Sequence, residues 1–178
     1  MKLYNTLTHD VQDFAPADGK TVKMYVCGVT PYSSTHVGHA LSYVAFDTLR
    51  RYLEFIGFDV RHVQNFTDVD DKIINRAKEQ GIEPDELAEE FIEDFYRTMD
   101  ALNIQRAHVY PRATQEIGPI IGTIQTLIDN GSAYPGGGDV FFRVTKKDDY
   151  GKLSHRTLDG MQAGVRIEVD ENKEHPMD

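Results

Sequence analysis

One cysteine, Cys27, is present in 178 residues. A single thiol excludes any intrachain disulfide and points to a reducing compartment, the cytoplasm. No apolar run approaches the roughly 18 residues that a membrane-spanning helix needs. Met1 to Phe14 also lacks a basic end followed by an apolar stretch, so neither a membrane association nor a secretory signal is expected. Excess positive charge is missing as well: 19 basic residues face 29 acidic ones, for a net charge of −10. That excludes a protein that coats nucleic acid through bulk charge, while leaving room for a local patch. Glycine (14) and proline (7) are too few for collagen or low-complexity disorder. No internal repeat is evident. What remains is an ordinary globular composition, 40% hydrophobic and 27% charged. At about 150 residues per domain this makes one domain, or one and a piece of another.

Thr21 to Cys27 is short, β-branched and aromatic and ends at Gly28, so it reads as a strand. A turn-rich stretch from Gly28 to Thr35 follows. An amphipathic helix is expected from His36 to Phe55, with Val37, Leu41, Val44, Ala45, Thr48, Leu49 and Leu53 on its apolar face and Gly57 near its end. Phe58 to Asn65 reads as a second strand. Asp68 is expected to cap a helix running to Gln80, stopped by Gly81. Two strands joined by a helix imply a parallel pair, and ligands in such sheets bind beyond the carboxyl ends of the strands. Cys27-Gly28 and Asn65-Phe66-Thr67 both lie at such ends, so two distant loops should meet on one rim. Further helices are expected near Asp85–Leu102 and Thr114–Asn130. The acidic run Glu83 to Asp94 reads as a solvated helix face. A hairpin loop at Pro135 to Gly138 precedes a strand at Asp139–Val144, and a short β-like piece is expected at Val165–Val169.

The strongest local signal is His36-Val37-Gly38-His39 where a loop enters a helix. Helix N-termini offer free N–H groups and a positive dipole end, which attract phosphate. Gly38 lets a planar ring approach the backbone. Two imidazoles could donate to phosphate oxygens as charge builds there. Capping or metal binding are the competing readings of the same pair. Zinc held by Cys27, His36 and His39 has no supporting ligand spacing and no second cysteine. Cys27 also reads as a buried strand residue. Asp68, Asp70 and Asp71 could attract Mg2+, but a cap and a charged first helical turn explain them better.

Taken together, these segments resemble the amino-terminal half of cysteinyl-tRNA synthetase. The resemblance rests on Met24-Tyr25-Val26-Cys27-Gly28-Val29-Thr30, His36-Val37-Gly38-His39 and Asn65 to Ile74. It continues through Asp100 to Ile104, Pro111-Arg112-Ala113-Thr114, Tyr150 to Ser154 and Leu158 to Gly164, in the family's order and over essentially the whole chain. It implies a two-step ligase: ATP and L-cysteine give cysteinyl-adenylate and pyrophosphate, and the cysteinyl group passes to tRNA(Cys). It implies that His36 and His39 are catalytic, in the family's HIGH signature. It further implies that Gly28, Thr30, His36, Gly38, His39 and Ser42 bind ATP or the adenylate, that Gly28, Asn65 and Thr67 bind cysteine, and that Cys27 is a zinc ligand. The implied cofactors are Mg2+ and Zn2+, with the zinc site incomplete in this chain.

The implied fold class is α/β: the first half of a Rossmann-like parallel-sheet nucleotide-binding fold at 1–110, and part of an α+β connective insertion at 111–178. With the remaining zinc ligands, the KMSKS loop and the tRNA-reading helices expected beyond Asp178, this chain alone is expected to be inactive and monomeric. Two positions depart from the family pattern: Ser33 stands near a usual Asp, and Leu41-Ser42 where an Arg is usual. Cys27 to Tyr32 and His39-Ala40 are also similar to mycothiol cysteine ligase, in which a Thr at the place of Ser42 helps bind the adenylate. Three alternatives therefore stand: a cysteine:amino-sugar ligase, a non-catalytic synthetase-like nucleotide-binding module, and a structural metal protein.

Overall fold

The computed structural model describes residues 1–160 and 169–178. The expected motif at Met161–Gly164 and most of the β-like piece at Val165–Val169 lie outside them. Two compact units are present: Ala15–Ile117, and Met1–Phe14 together with Gly118–Asp178. The compact units part after Ile117, and Met1–Phe14 falls in the later unit.

The Ala15–Ile117 unit is built on a parallel pair, β3 (Thr21–Val29) and β4 (Asp59–Phe66), joined by α1 (Val37–Phe55). A third extended segment runs parallel along β4 through bridges Val63 to Val109 and Phe66 to Arg112. Its backbone is satisfied by Gln64 N–H to Val109 O (3.1 Å) and Phe66 N–H to Pro111 O (2.8 Å). This is the expected mixed α/β architecture with a parallel sheet. Two helices follow, α2 (Asp71–Gln80) and α3 (Pro84–Ala101). Phe66 is fully buried and organises the core, with Phe95 (5.4 Å) and Tyr96 (5.6 Å) edge-on and Tyr110 (5.4 Å) stacked against it. Ile92, Phe95 and Met99 of α3 close this core; most of the acidic run is exposed as expected, but Glu89 pairs with Arg112 and Asp94 is half-buried.

Two expectations fail. The predicted apolar face of α1 is exposed: Val37 is 86% accessible, Leu41 73% and Val44 42%. Of that face only Leu53, near the end of the helix, is buried as expected, with Leu49 half-buried; the other buried residues are Tyr43 and Arg50. Directional polar bonds fix this rotation. Tyr43 OH donates to Cys27 O (3.3 Å), Asp47 accepts from Gln105 N–H (2.9 Å), and Arg50 donates to Arg106 O (2.8 Å). Second, Asp70 rather than Asp68 caps α2, accepting from Lys72 N–H at 2.9 Å. Asp68 is buried and binds Thr114, in the short 3-10 turn after the third segment, accepting from its N–H (3.0 Å) and its hydroxyl (2.6 Å). Gly81 ends α2 in the left-handed conformation, as expected.

In the other unit, β1 (Lys2–Asn5) and β2 (Asp10–Asp13) form an antiparallel hairpin with no counterpart in the sequence reading. The helix α4 (Ile117–Asp129) leads to the hairpin β5 (Ala133–Gly136) and β6 (Asp139–Phe142). Gly137 (φ 61°) and Gly138 (φ 97°) form its two-residue turn, a conformation that suits glycine.

Candidate functional site

The rim begins with a break in the ladder. Pairing between β3 and β4 runs in register from Thr21 to Val26, then slips before resuming at Val29 and Phe66. Cys27 and Gly28 occupy the bulge, and bulges commonly re-aim side chains beside active sites. Gly28 N–H bonds the Asn65 side-chain Oδ1 at 2.9 Å. A Cβ on Gly28 would overlap the Asn65 carbonyl oxygen and lie 2.6 Å from its carbonyl carbon, so the approach requires glycine. Asn65 Oδ1 also accepts from Tyr25 OH (2.9 Å), and Asn65 Nδ2 donates to Thr67 Oγ1 (3.2 Å). Thr67 N–H closes on Val29 O at 3.0 Å. Gly28, Asn65 and Thr67, predicted from sequence to share one rim, are thus one hydrogen-bonded group.

The second group is the start of α1. His36 is its N-cap, and His36 Nδ1 accepts from Gly38 N–H (3.1 Å) and His39 N–H (3.4 Å). Ala40 N–H bonds His36 O. This corrects the expectation that first-turn amides are free for phosphate, since those of Gly38 and His39 are occupied by the protein's own imidazole. A Cβ on Gly38 would crowd the His36 ring, lying 3.0 and 3.1 Å from its Cε1 and Nδ1. Capping and donation to a ligand are compatible in one ring. With Nδ1 accepting, the neutral ring carries its proton on Nε2, which is left to donate outward. His39 stacks on His36 with ring centroids 3.8 Å apart. Burial, and secondarily the neighbouring His36, lowers the His39 pKa below its ordinary 6.5, which favours a neutral ring.

Tyr43 joins the two groups. It lies one turn beyond His39 on the same side of α1 and bonds Cys27 O at the tip of β3. Burial, with Cys27 next in weight, pushes its pKa up to about 12, so its hydroxyl stays protonated and donating. Cys27 itself is exposed, contrary to its reading as a buried strand residue. Thr30 is half-buried, and its carbonyl accepts from Tyr32 N–H. Ser42 is exposed, three residues past His39. Among the described residues no three His, Cys, Asp or Glu side chains gather to hold a metal. Cys27 can offer one thiol, and the carboxylates of Asp68 and Asp70 already bind Thr114 and Lys72 N–H. The described residues therefore do not fit a complete zinc or magnesium site.

Sequence reasoning missed Tyr25 and Tyr43. An exposed strand tyrosine and a helical one carry no local signature of a bond to a partner 40 or 16 positions away.

Residues 13–178 match the family described as the tRNA synthetases class I (C) catalytic domain. A cysteine–tRNA ligase of Dehalococcoides mccartyi is 57% identical over all 178 residues, which cover 39% of that protein. Those of Caldicellulosiruptor saccharolyticus and Clostridioides difficile are each 52% identical over the whole chain, covering 38% of their lengths. This chain thus spans about two fifths of the length of these curated relatives. Among solved structures, Mycobacterium tuberculosis methionyl-tRNA synthetase in complex with methionyl-adenylate superposes with a TM-score of 0.60 at 25% identity, over 65% of this chain and 23% of that one. The matched span covers nearly the whole chain, and the chain belongs to the class I (C) tRNA synthetase catalytic-domain family.

Proposed function

We propose that this chain is the front part of a ligase that activates L-cysteine with ATP and transfers it to tRNA(Cys). A cysteine carboxylate oxygen attacks the α-phosphorus, the bond to the β-phosphate oxygen breaks, and pyrophosphate leaves. The terminal ribose hydroxyl then attacks the adenylate carbonyl and AMP departs. The observation that carries this reading is the identity of 52–57%, across the whole chain, to relatives named cysteine–tRNA ligase. The hydrogen-bonded group at the strand tips, tied through Tyr43 to the helix that starts at the histidine pair, supports it chemically.

In this reading His36 donates through Nε2–H and His39 through its ring N–H to phosphate oxygens as charge grows in the transition state. Gly28, Thr30 and Thr67 line the amino-acid and adenylate pocket, and Gly38 and Ser42 its nucleotide side. Mg2+ enters with the ATP phosphates. Cys27 would offer one thiolate ligand to a zinc, which would supply a soft Lewis-acid site; no step is derived through it. The division into a catalytic half at 1–110 and an insertion at 111–178, a monomeric state and a cytoplasmic location belong to the same proposal. No described helix is long and apolar enough to cross a membrane.

The test uses the protein at the full length of its relatives. Cysteine-dependent exchange of pyrophosphate into ATP and acid-precipitable labelled cysteine on tRNA are both expected. Exchange with no precipitable product would move the acceptor to a small molecule such as an amino sugar. Absence of exchange would refute cysteine activation.

A further inference from the structure

The carboxamide of Asn65 sits where its orientation has a chemical consequence. Two donors, Gly28 N–H and Tyr25 OH, converge on Oδ1, each at 2.9 Å. A flipped amide would set its NH2 against the Gly28 N–H, which can only donate, so the backbone contact selects one orientation and Tyr25 OH donates within it. Nδ2 must then face Thr67 Oγ1, which lies 3.2 Å away. The Thr67 oxygen therefore accepts on that side, and its own proton is left to point elsewhere. Backbone pairing of Thr67 N–H with Val29 O holds the residue in place.

We infer that Asn65, oriented by Gly28 N–H and Tyr25 OH, is a positioning residue that fixes the Thr67 hydroxyl as a donor toward an oxygen acceptor of the bound amino acid or its adenylate. The inference rests on the cysteine-activation reading and changes the role of Asn65, from a group that touches cysteine to one that acts through Thr67. It also gives Tyr25 a role in the site.

Asn65→Asp is the discriminating substitution. It keeps Oδ1 for Gly28 and Tyr25 but places a second acceptor against Thr67 Oγ1. The threonine proton turns onto that carboxylate and is lost to the ligand. Pyrophosphate exchange is measured on the full-length protein for Asn65→Asp, Thr67→Val and the double variant. Each single change is expected to raise the KM for cysteine about tenfold, the scale of one hydrogen bond to a charged group. In the Thr67→Val background, Asn65→Asp should add much less, because the hydroxyl it would redirect is gone. Thr67→Ser keeps the hydroxyl and should stay within about threefold of the unsubstituted protein. Tyr25→Phe leaves Gly28 N–H to orient the amide and should also cost no more than about threefold. Independent, multiplying effects of Asn65→Asp and Thr67→Val would overturn the inference.

A substrate-free readout separates this from the functional proposal. Protection of the Gly28 amide from hydrogen exchange should survive Asn65→Asp and fall in Asn65→Ala. A Gly28 amide indifferent to Asn65→Ala overturns the inference alone. Absence of cysteine-dependent exchange in the unsubstituted protein overturns the functional reading, and the ligand-directed half of the inference with it.

Discussion

Gly28→Ala tests the claim that the rim depends on one backbone approach. The φ of Gly28 is not in the left-handed region, so conformational freedom is not the issue. The obstacle is steric. A methyl group would overlap the Asn65 carbonyl oxygen, with the carbonyl carbon at 2.6 Å and Oδ1 at 3.2 Å. These first two are backbone atoms of the paired strand, so no side-chain rotation relieves the clash. β3 and β4 must separate at their tips, which costs about 1–3 kcal/mol as overpacking. The Gly28 N–H to Asn65 bond stretches or breaks, adding about 0.5–1.5 kcal/mol. A loss of about 2–4 kcal/mol follows, which is large against typical domain stabilities. Urea unfolding read by tyrosine fluorescence suits the chain, which has nine tyrosines and no tryptophan. Gly122→Ala is the paired control: nothing lies within 4 Å of a Cβ there, and the residue sits inside α4. It should stabilise by about 0.5–1 kcal/mol. A Gly28→Ala protein within about 1 kcal/mol of the unsubstituted one would refute the close-approach argument.

His36→Asn keeps a side-chain acceptor at the cap and should leave stability nearly unchanged, whereas His36→Ala should cost about 1 kcal/mol; both should abolish pyrophosphate exchange in the full-length protein, and equal stabilities would sink the capping role. Burial, with Arg50 and then His108 adding to it, lowers the His62 pKa below 6.5 against a smaller opposing pull from Asp47, and burial lowers that of His39. The unfolded chain therefore binds more protons just below pH 6.5, so stability should be full above that value and decline as pH falls beneath it. Urea midpoints between about pH 7.5 and 5.5 check the sign, and a midpoint that rises on acidification would contradict it. Thr114→Val removes a hydroxyl bond to the buried Asp68 carboxylate and should cost about 1.5–3 kcal/mol in the same unfolding assay, while a neutral result would deny that bond any part in stability.

Much of this was legible because it is local. The β-branched run before Gly28, the Gly81 stop and the paired glycines before Asp139 each specify their own structure. The strand tips could be placed together because a strand–helix–strand sequence leaves few topologies open. What could not be read depends on partners far along the chain. The apolar residues of α1 mark a face, but the face that packs is chosen by bonds to Cys27, Gln105 and Arg106. Asp68 has every local feature of a cap, yet Thr114, 46 positions away, takes it. The β1–β2 hairpin has mostly exposed residues and hence little hydrophobic alternation to announce it.

At His36, capping the helix and donating to a ligand are compatible uses of one ring. An imidazole has two nitrogens with opposite needs when neutral. At His36 the fold uses the acceptor to start the helix, and that use places the proton on the nitrogen left for a ligand. Asn65 repeats the arrangement: its oxygen ties β3 to β4, and that tie dictates which way its NH2 meets Thr67. In both places a bond that stabilises the backbone sets the polarity of the group beyond it. A substitution that preserves the structural atom while changing the outward one, such as His36→Asn or Asn65→Asp, should therefore separate folding from chemistry, whereas alanine at either position confounds them.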